Sequence, residues 1–329
     1  MWFVASGDGN SSGAFDVSSL IDGLPMKTLR SVIRVVALVM MGWMLAGCAT
    51  QSPPPEEKAR PVVPEVAAAP LGVGEIWPLD APSIHARNAI LIDARTGRTL
   101  YQKFADVRTQ VASTQKLVTA LVILDRGDLD GRLVIAPSDC TVEPAKLGVR
   151  AGQSYTRRAL LTALMVKSEN DAAAALGRDH SGSTQAFALA MNRKAWELGA
   201  RNSYFLNPHG LPALQYSTAR DMARVAFRAY REPVLRGMMA TQHYTFVFST
   251  GRTKHLETTN KLLARSSIYN GMKTGYTFAA GRCLISSASS GGREVILAQF
   301  GSKTSYIFDD AERMMQWGLS RTGYAMATY

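Results

Sequence analysis

The hydrophobic pattern changes period along the chain, and each change marks an element. In "NAILIDARTGRTLYQKF" two β-rich flanks surround Arg95-Thr96-Gly97-Arg98, the pattern of a hairpin. After Ser113 the positions Leu117, Val118, Leu121, Val122, Ile123 and Leu124 form an almost wholly apolar run, which predicts a buried helix. A helical stretch "TRRALLTALMV" stops at "KSEN" and restarts as "DAAAALGRDH", and "TQAFALAMNRKAWELGA" keeps helical spacing until Gly199. The last third turns to strands in "HYTFVFST", "GMKTGYT", "RCLISSAS" and "EVILAQFG". It closes on a helix, "DDAERMMQWGL", with Asp309 and Asp310 expected as its caps. Helices enclosed between an early hairpin and late strands predict an α+β sandwich, in which one mainly antiparallel sheet gathers strands from both chain ends.

Upstream, the pattern is of another kind. From Met26 a short basic segment leads into an apolar stretch, Val35 to Leu45, and then into small residues around Cys48. That is the layout of a secretory signal, too short for a comfortable membrane span. "LAGC" resembles a bacterial lipoprotein box, which would make Cys48 the lipidated first residue of the mature chain; an ordinary signal peptide or an anchor helix are the alternatives. Residues 51–70 hold six prolines and stay extended, reaching on the order of 60 Å if polyproline-like. The expected organisation is therefore a mis-assigned extension at 1–25, a lipoprotein signal at 26–47, a lipidated cysteine and proline-rich linker at 48–73, and a catalytic body at 74–329. The lipid anchor implies a periplasmic protein held to a membrane, with Ala49 after Cys48 pointing to the outer one.

Composition adds limits. The net charge is +11, all of it downstream of residue 48, since residues 1–48 carry three basic and three acidic groups. Such a surface suits nucleic acid, an anionic membrane or an acidic polymer such as cell wall, but no run of Lys and Arg with interleaved aromatics appears, so a basic protein with dispersed lysines is an equal reading. The remaining cysteines, Cys140 and Cys283, lie 143 positions apart and are expected as two separate buried thiols. The five histidines are scattered without metal-ligand spacing, so neither a metal nor another cofactor is expected.

Candidate chemistry lies in three short motifs. Ser113 and Lys116 are three positions apart, either a nucleophile with its base or a helix cap with a solvated lysine; Ser-x-x-Lys alone arises about once by chance in a chain this long. Ser168-Glu169-Asn170 falls between two helical patterns, where a capped break is the simpler reading, and Lys273-Thr274-Gly275 falls in a strand pattern. Together they occur in a fixed order, 55 and 105 residues apart, each in a setting its chemistry needs. A serine becomes nucleophilic when a base takes its proton, and a lysine can be that base only when burial or a nearby cation strips its charge.

With "SENDAAAALGR", "FLNPHGL", "YSTARDMA", "TTNKLL" and "GMKTGYTFAAGRCL", these motifs make the chain resemble the penicillin-recognising serine peptidases over about residues 85–325. The group is that of the D-alanyl-D-alanine carboxypeptidases and endopeptidases among low-molecular-mass penicillin-binding proteins. The resemblance implies a β-lactamase/transpeptidase-like fold with an all-helical subdomain, peptidoglycan stem peptides and cross-links as substrates, and β-lactams as covalent inhibitors. It assigns Ser113 as acyl-enzyme nucleophile, Lys116 as base, Ser168 as proton relay and Asn170 as holder of a substrate amide. Lys273 and Thr274 would bind the carboxylate beside the scissile bond, Gly275 would leave the strand edge open to substrate, and the N–H groups of Ser113 and Tyr276 would bind the oxyanion. No Glu-x-x-Leu-Asn string occurs between Asn170 and Lys273, which argues against a class A β-lactamase. "SENDAAAALGR" and "AAGRCL", the end of the chain soon after its last helix, and Phe308 where carboxypeptidases tend to place an arginine all favour the endopeptidase branch. Carboxypeptidase action stays the alternative, and a silent wall-binding protein is the reading from another class.

Overall fold

A computed structural model of the chain describes residues 76–322. The expected extension, signal, lipidation site Cys48 and linker up to residue 73 lie outside these residues. In chain order the strands and helices begin with β1 (Ile76–Trp77), β2 (Asn88–Asp93) and β3 (Thr99–Lys103), followed by a 3₁₀ turn at Ala112–Gln115 and helix α1 (Lys116–Arg126). Next come β4 (Arg132–Val134), β5 (Ser154–Thr156), α2 (Arg157–Lys167), α3 (Asn170–Ser181), α4 (Thr184–Glu197), α5 (Ala219–Tyr230) and α6 (Pro233–Ala240). The chain closes with β6 (His243–Val247), β7 (Thr253–Glu257), β8 (Tyr269–Thr277), β9 (Gly281–Ser290), β10 (Arg293–Ser302) and α7 (Ile307–Arg321).

Six strands make one sheet in the order β1-β3-β2-β10-β9-β8, antiparallel at every pairing. The early hairpin and the late strands thus meet at β2 and β10, as the α+β pattern predicts. "NAILID" is buried at every position because both sheet faces are covered. Ala89 and Leu91 join Val295, Leu297 and the α7 residues Met314 and Met315 on one face, while Ile90 and Ile92 join Ile296, Ala298 and the helices α1 to α5 on the other. Side-chain alternation along a strand builds both cores from one sheet.

Several elements differ from expectation. "HYTFVFST" does not enter the main sheet; β6 pairs with β7 in a two-stranded ribbon against the helices. Helix α5 carries an N-cap, Thr218, whose hydroxyl accepts from Asp221 N at 3.0 Å. The caps expected at Asp309 and Asp310 are absent, since Tyr306 is the N-cap of α7 and both acids lie in its first turn. Asp310 is buried instead for a tertiary contact, accepting from His85 N at 2.8 Å. Cys140 and Cys283 are both free, Cys283 buried and Cys140 only partly so. Among the described residues no helix is long and apolar enough to cross a membrane, and no three metal-ligating side chains cluster.

Candidate active site

Ser113 sits in the 3₁₀ turn that leads into α1, not at a capping position, because no side chain caps either helix start. A 3₁₀ turn has three residues per turn, so it eclipses i and i+3 and sets Lys116 directly beside Ser113. The turn is entered through Ala112 at φ 47°, a left-handed conformation costing about 1–3 kcal/mol in a residue with a Cβ. Two glycines press closely on it. A Cβ on Gly275 would lie 2.8 Å from Ser113 N, and one on Gly210, itself at φ 84°, would lie 2.3 Å from Ala112 O. Gly275 therefore serves close packing of β8 on the nucleophile's turn, a role in addition to the open strand edge expected of it.

Lys116 Nζ is the centre of the arrangement. It lies 2.8 Å from Ser113 Oγ, 3.2 Å from Ser168 Oγ and 2.6 Å from Asn170 Oδ1. The turn between α2 and α3 delivers the last two residues: Ser168 ends α2 in a left-handed conformation at φ 73°, and α3 begins at Asn170. A loop over residues 144–148 locks that turn, since Asn170 N donates to Ala145 O at 2.7 Å and Asp171 accepts from Leu147 N and Gly148 N at 2.9 and 2.8 Å. Asn170 Nδ2 donates to Pro144 O at 2.5 Å while its Oδ1 holds Lys116. Both ends of that amide have protein partners, so Asn170 orients Lys116.

Electrostatics favour a neutral base. Lys116 and Lys273 are fully buried. Burial holds Lys116 well below the usual lysine range, Lys273 pushes it the same way, and Glu169 and Asp171 oppose the shift. Lys273 is itself pushed down by burial to about 7, against the pull of Glu169. Its Nζ donates to Thr274 O at 2.9 Å, and Thr274 Oγ1 donates to Thr259 Oγ1 at 2.6 Å. Just before it, β8 carries a register shift between Tyr269 and Met272, with Met272 at φ 94°. Such a bulge re-aims the residues that follow, here Lys273.

Chemically, these residues can pass a proton from a serine hydroxyl to an amine whose charged form burial disfavours. A family model described as D-alanyl-D-alanine carboxypeptidase matches residues 78–304. The chain belongs to that family. It is 35% identical over 237 residues to a D-alanyl-D-alanine endopeptidase of Pseudomonas aeruginosa, covering 70% of this chain and 76% of the relative. It is 33% identical over 244 residues to a D-alanyl-D-alanine endopeptidase of Escherichia coli, covering 72% and 78%. The fold matches a solved D-alanyl-D-alanine carboxypeptidase of Mycobacterium tuberculosis with a TM-score of 0.72 at 30% identity, over 80% of this chain and 99% of that one. The chain is thus a serine hydrolase of the D-alanyl-D-alanine peptidase family with its penicillin-binding fold.

Of the expected site residues, the structure brings Ser113, Ser168 and Asn170 within hydrogen-bond reach of Lys116 Nζ, with Lys273, Thr274 and Gly275 on the strand pressed against the turn. Tyr276 follows Gly275 as a 54% exposed residue, with the Arg282 guanidinium over its ring, 4.4 Å from the ring centre. The segment Asn207–Gly210 has a part that sequence reasoning did not assign. Ser113 Oγ donates to His209 O at 3.2 Å, Asn207 Oδ1 accepts from Gly210 N at 2.8 Å, and Gln115 Nε2 donates to Asn207 O at 2.6 Å. Burial and then Lys116 push the His209 imidazole down to about 3, so it stays neutral beside the base. Its contribution to Ser113 is a backbone carbonyl, which leaves no residue-type signature.

Proposed function

We propose that this family member cleaves D-alanyl bonds of peptidoglycan through an acyl-enzyme on Ser113, working as an endopeptidase on cross-links. The observation that carries the reading is the buried Lys116, its Nζ 2.8 Å from Ser113 Oγ in a setting that disfavours its charged form. The Ser113 hydroxyl turns from His209 O to Lys116 Nζ and gives up its proton, and Oγ attacks the D-alanyl carbonyl carbon. The oxyanion forms between the N–H groups of Ser113 and Tyr276, where preorganised donors are worth about 3–4 kcal/mol each. Lys116 returns the proton through Ser168 to the leaving amine as the C–N bond breaks. Water, deprotonated by the same lysine, then hydrolyses the Ser113 ester. Lys273 and Thr274 hold the carboxylate on the leaving residue. A β-lactam acylates Ser113 in the same way and stalls there.

The endopeptidase names of the two bacterial relatives, at 35% and 33% identity, support cross-links as the substrate. Carboxypeptidase trimming of pentapeptides is the second reading, favoured by the solved carboxypeptidase of the same fold. Wild-type enzyme and Ser113→Ala, given cross-linked muropeptide dimers and monomeric pentapeptides, separate the two. Cleavage of the dimer alone supports the proposal, and release of D-alanine from the pentapeptide alone sinks it. The "LAGC" box and the proline-rich segment support lipidation at Cys48 and tethering at a membrane facing the periplasm. Cys48→Ala then moves the protein from the membrane to the soluble fraction, and unchanged membrane recovery contradicts the anchor.

A further inference from the structure

Ser113 lies against Gly275, which pairs with Cys283 on β9. At the other end of β9 the Gly291-Gly292 turn is eight residues on, about 26 Å away at strand spacing. There the turn after β2 and the corner between α5 and α6 meet around a cavity of about 540 Å³, lined by Arg95, Arg231, Arg236, Tyr230 and Glu294 among others. An adjoining cavity of about 490 Å³ shares Arg95 and Glu294 and adds Arg293. Every cation in this lining is an arginine, and the one acid, Glu294, is held by Arg236 at 3.1 Å.

The other three guanidiniums donate to carbonyl oxygens: Arg231 to Arg95 O at 2.6 Å, Arg293 to Leu319 O at 3.2 Å and Arg95 to Gly292 O at 3.5 Å. Among the described residues, none of the three has a carboxylate within ion-pair distance. Arg231 and Arg236 also lie over the rings of Phe227 and Tyr230, at 4.4 and 4.2 Å. Their charges are therefore held in place before any ligand arrives, which lowers the entropy cost of binding, and the planar fork of arginine matches a carboxylate with two parallel hydrogen bonds.

We propose that this cleft is a second peptidoglycan-binding site, which takes the free carboxylates of stem peptides on an uncut strand while Ser113 works elsewhere on the polymer. The proposal rests on the peptidoglycan substrate argued above, since a wall polymer presents repeated stem-peptide carboxylates to an enzyme already bound to it. The cleft raises the hold on polymeric wall and leaves the chemistry on small fragments unchanged.

The test compares the full chain with R95Q/R231Q/R293Q. In a Ser113→Ala background, the parent co-sediments with purified sacculi and releases with salt, and the triple variant binds at least tenfold more weakly. With Ser113 intact, the triple variant cleaves soluble dimer within twofold of wild type and digests sacculi at least fivefold more slowly. Equal sedimentation of parent and variant overturns the proposal, as does an equal loss on dimer and sacculi. Vesicles of anionic phospholipid form a separate arm: arginine-dependent vesicle binding with unchanged sacculus binding overturns it in favour of a lipid surface. Penicillin acylation and circular dichroism check the fold, and R95Q and R293Q singly, both at exposed positions, carry the same test if the triple variant fails them. A wild type that cleaves no dimer while arginine-dependent sedimentation persists sinks the endopeptidase reading and leaves this site standing.

Discussion

Replacing Gly275 by alanine tests how closely the strand must approach the nucleophile. The added Cβ falls 2.8 Å from Ser113 N and 3.1 Å from both Ala112 Cβ and Thr114 N. Ordinary contact begins near 3.4 Å, so strand and turn must part by about 0.6 Å, and both sides are backbone or a rigid methyl. A displacement of that order at a reacting centre costs roughly tenfold to a hundredfold in rate. In an unhindered strand the same change stabilises by about 0.5–1 kcal/mol, whereas overpacking here costs about 1–3 kcal/mol, so even the sign is informative. The assay is the second-order rate of acylation by a fluorescent penicillin, beside a urea unfolding curve. Acylation within twofold of wild type, with an unfolding midpoint raised rather than lowered, refutes the close-packing argument.

Other predictions follow from the same residues. Only neutral Lys116 accepts the serine proton and only charged Lys273 holds a carboxylate, so kcat/KM for a carboxylate-bearing substrate rises with pH as Lys116 deprotonates. It falls again as Lys273 loses its charge near pH 7. A bound carboxylate stabilises the Lys273 ammonium, so the falling limb moves to higher pH in kcat; identical limbs in both profiles contradict that role. Arg178→Ala leaves Asp139, buried and bonded to it at 2.9 Å, without its cation, and stability falls by about 2 kcal/mol in urea unfolding; an unchanged midpoint denies the pair any weight. Burial pushes the Cys283 thiol up to about 12, so a maleimide pulse on the folded protein, read by peptide mass mapping, modifies Cys140 and spares Cys283 until urea is added. Labelling of Cys283 at the Cys140 rate contradicts its burial.

The site was legible in the sequence to the extent that its chemistry is local. Ser113 and Lys116 share one turn, Ser168 and Asn170 share one helix break, and Lys273 to Gly275 share one strand, so spacing and pattern exposed each group. The convergence of the three could be argued only from resemblance, because no local pattern says that β8 packs on the 3₁₀ turn. His209 and Gly210 escaped assignment because one acts through a carbonyl and the other through a missing Cβ. Asn170 was placed at the site, but its second partner, Pro144 O, belongs to a loop with no periodicity to read.

The fold divides along the same physical line. Long elements with a clear period, such as α2, α4, β9 and β10, stand where the pattern puts them. Helix α5 went unread although Thr218-Ala219-Arg220-Asp221 carries a cap signal, and the five-residue β7 is too short to show alternation. Asp309 and Asp310 carried a cap signal that tertiary structure overrode, since Asp310 is drawn under His85 instead.

The central claim, a covalent intermediate on Ser113, is tested most directly by mass spectrometry of the protein after a short exposure to penicillin. The expected result is one adduct of the mass of the intact antibiotic on the peptide containing Ser113, absent in Ser113→Ala and strongly slowed in Lys116→Ala. An unmodified wild type, or an adduct on another residue that survives in Ser113→Ala, contradicts it.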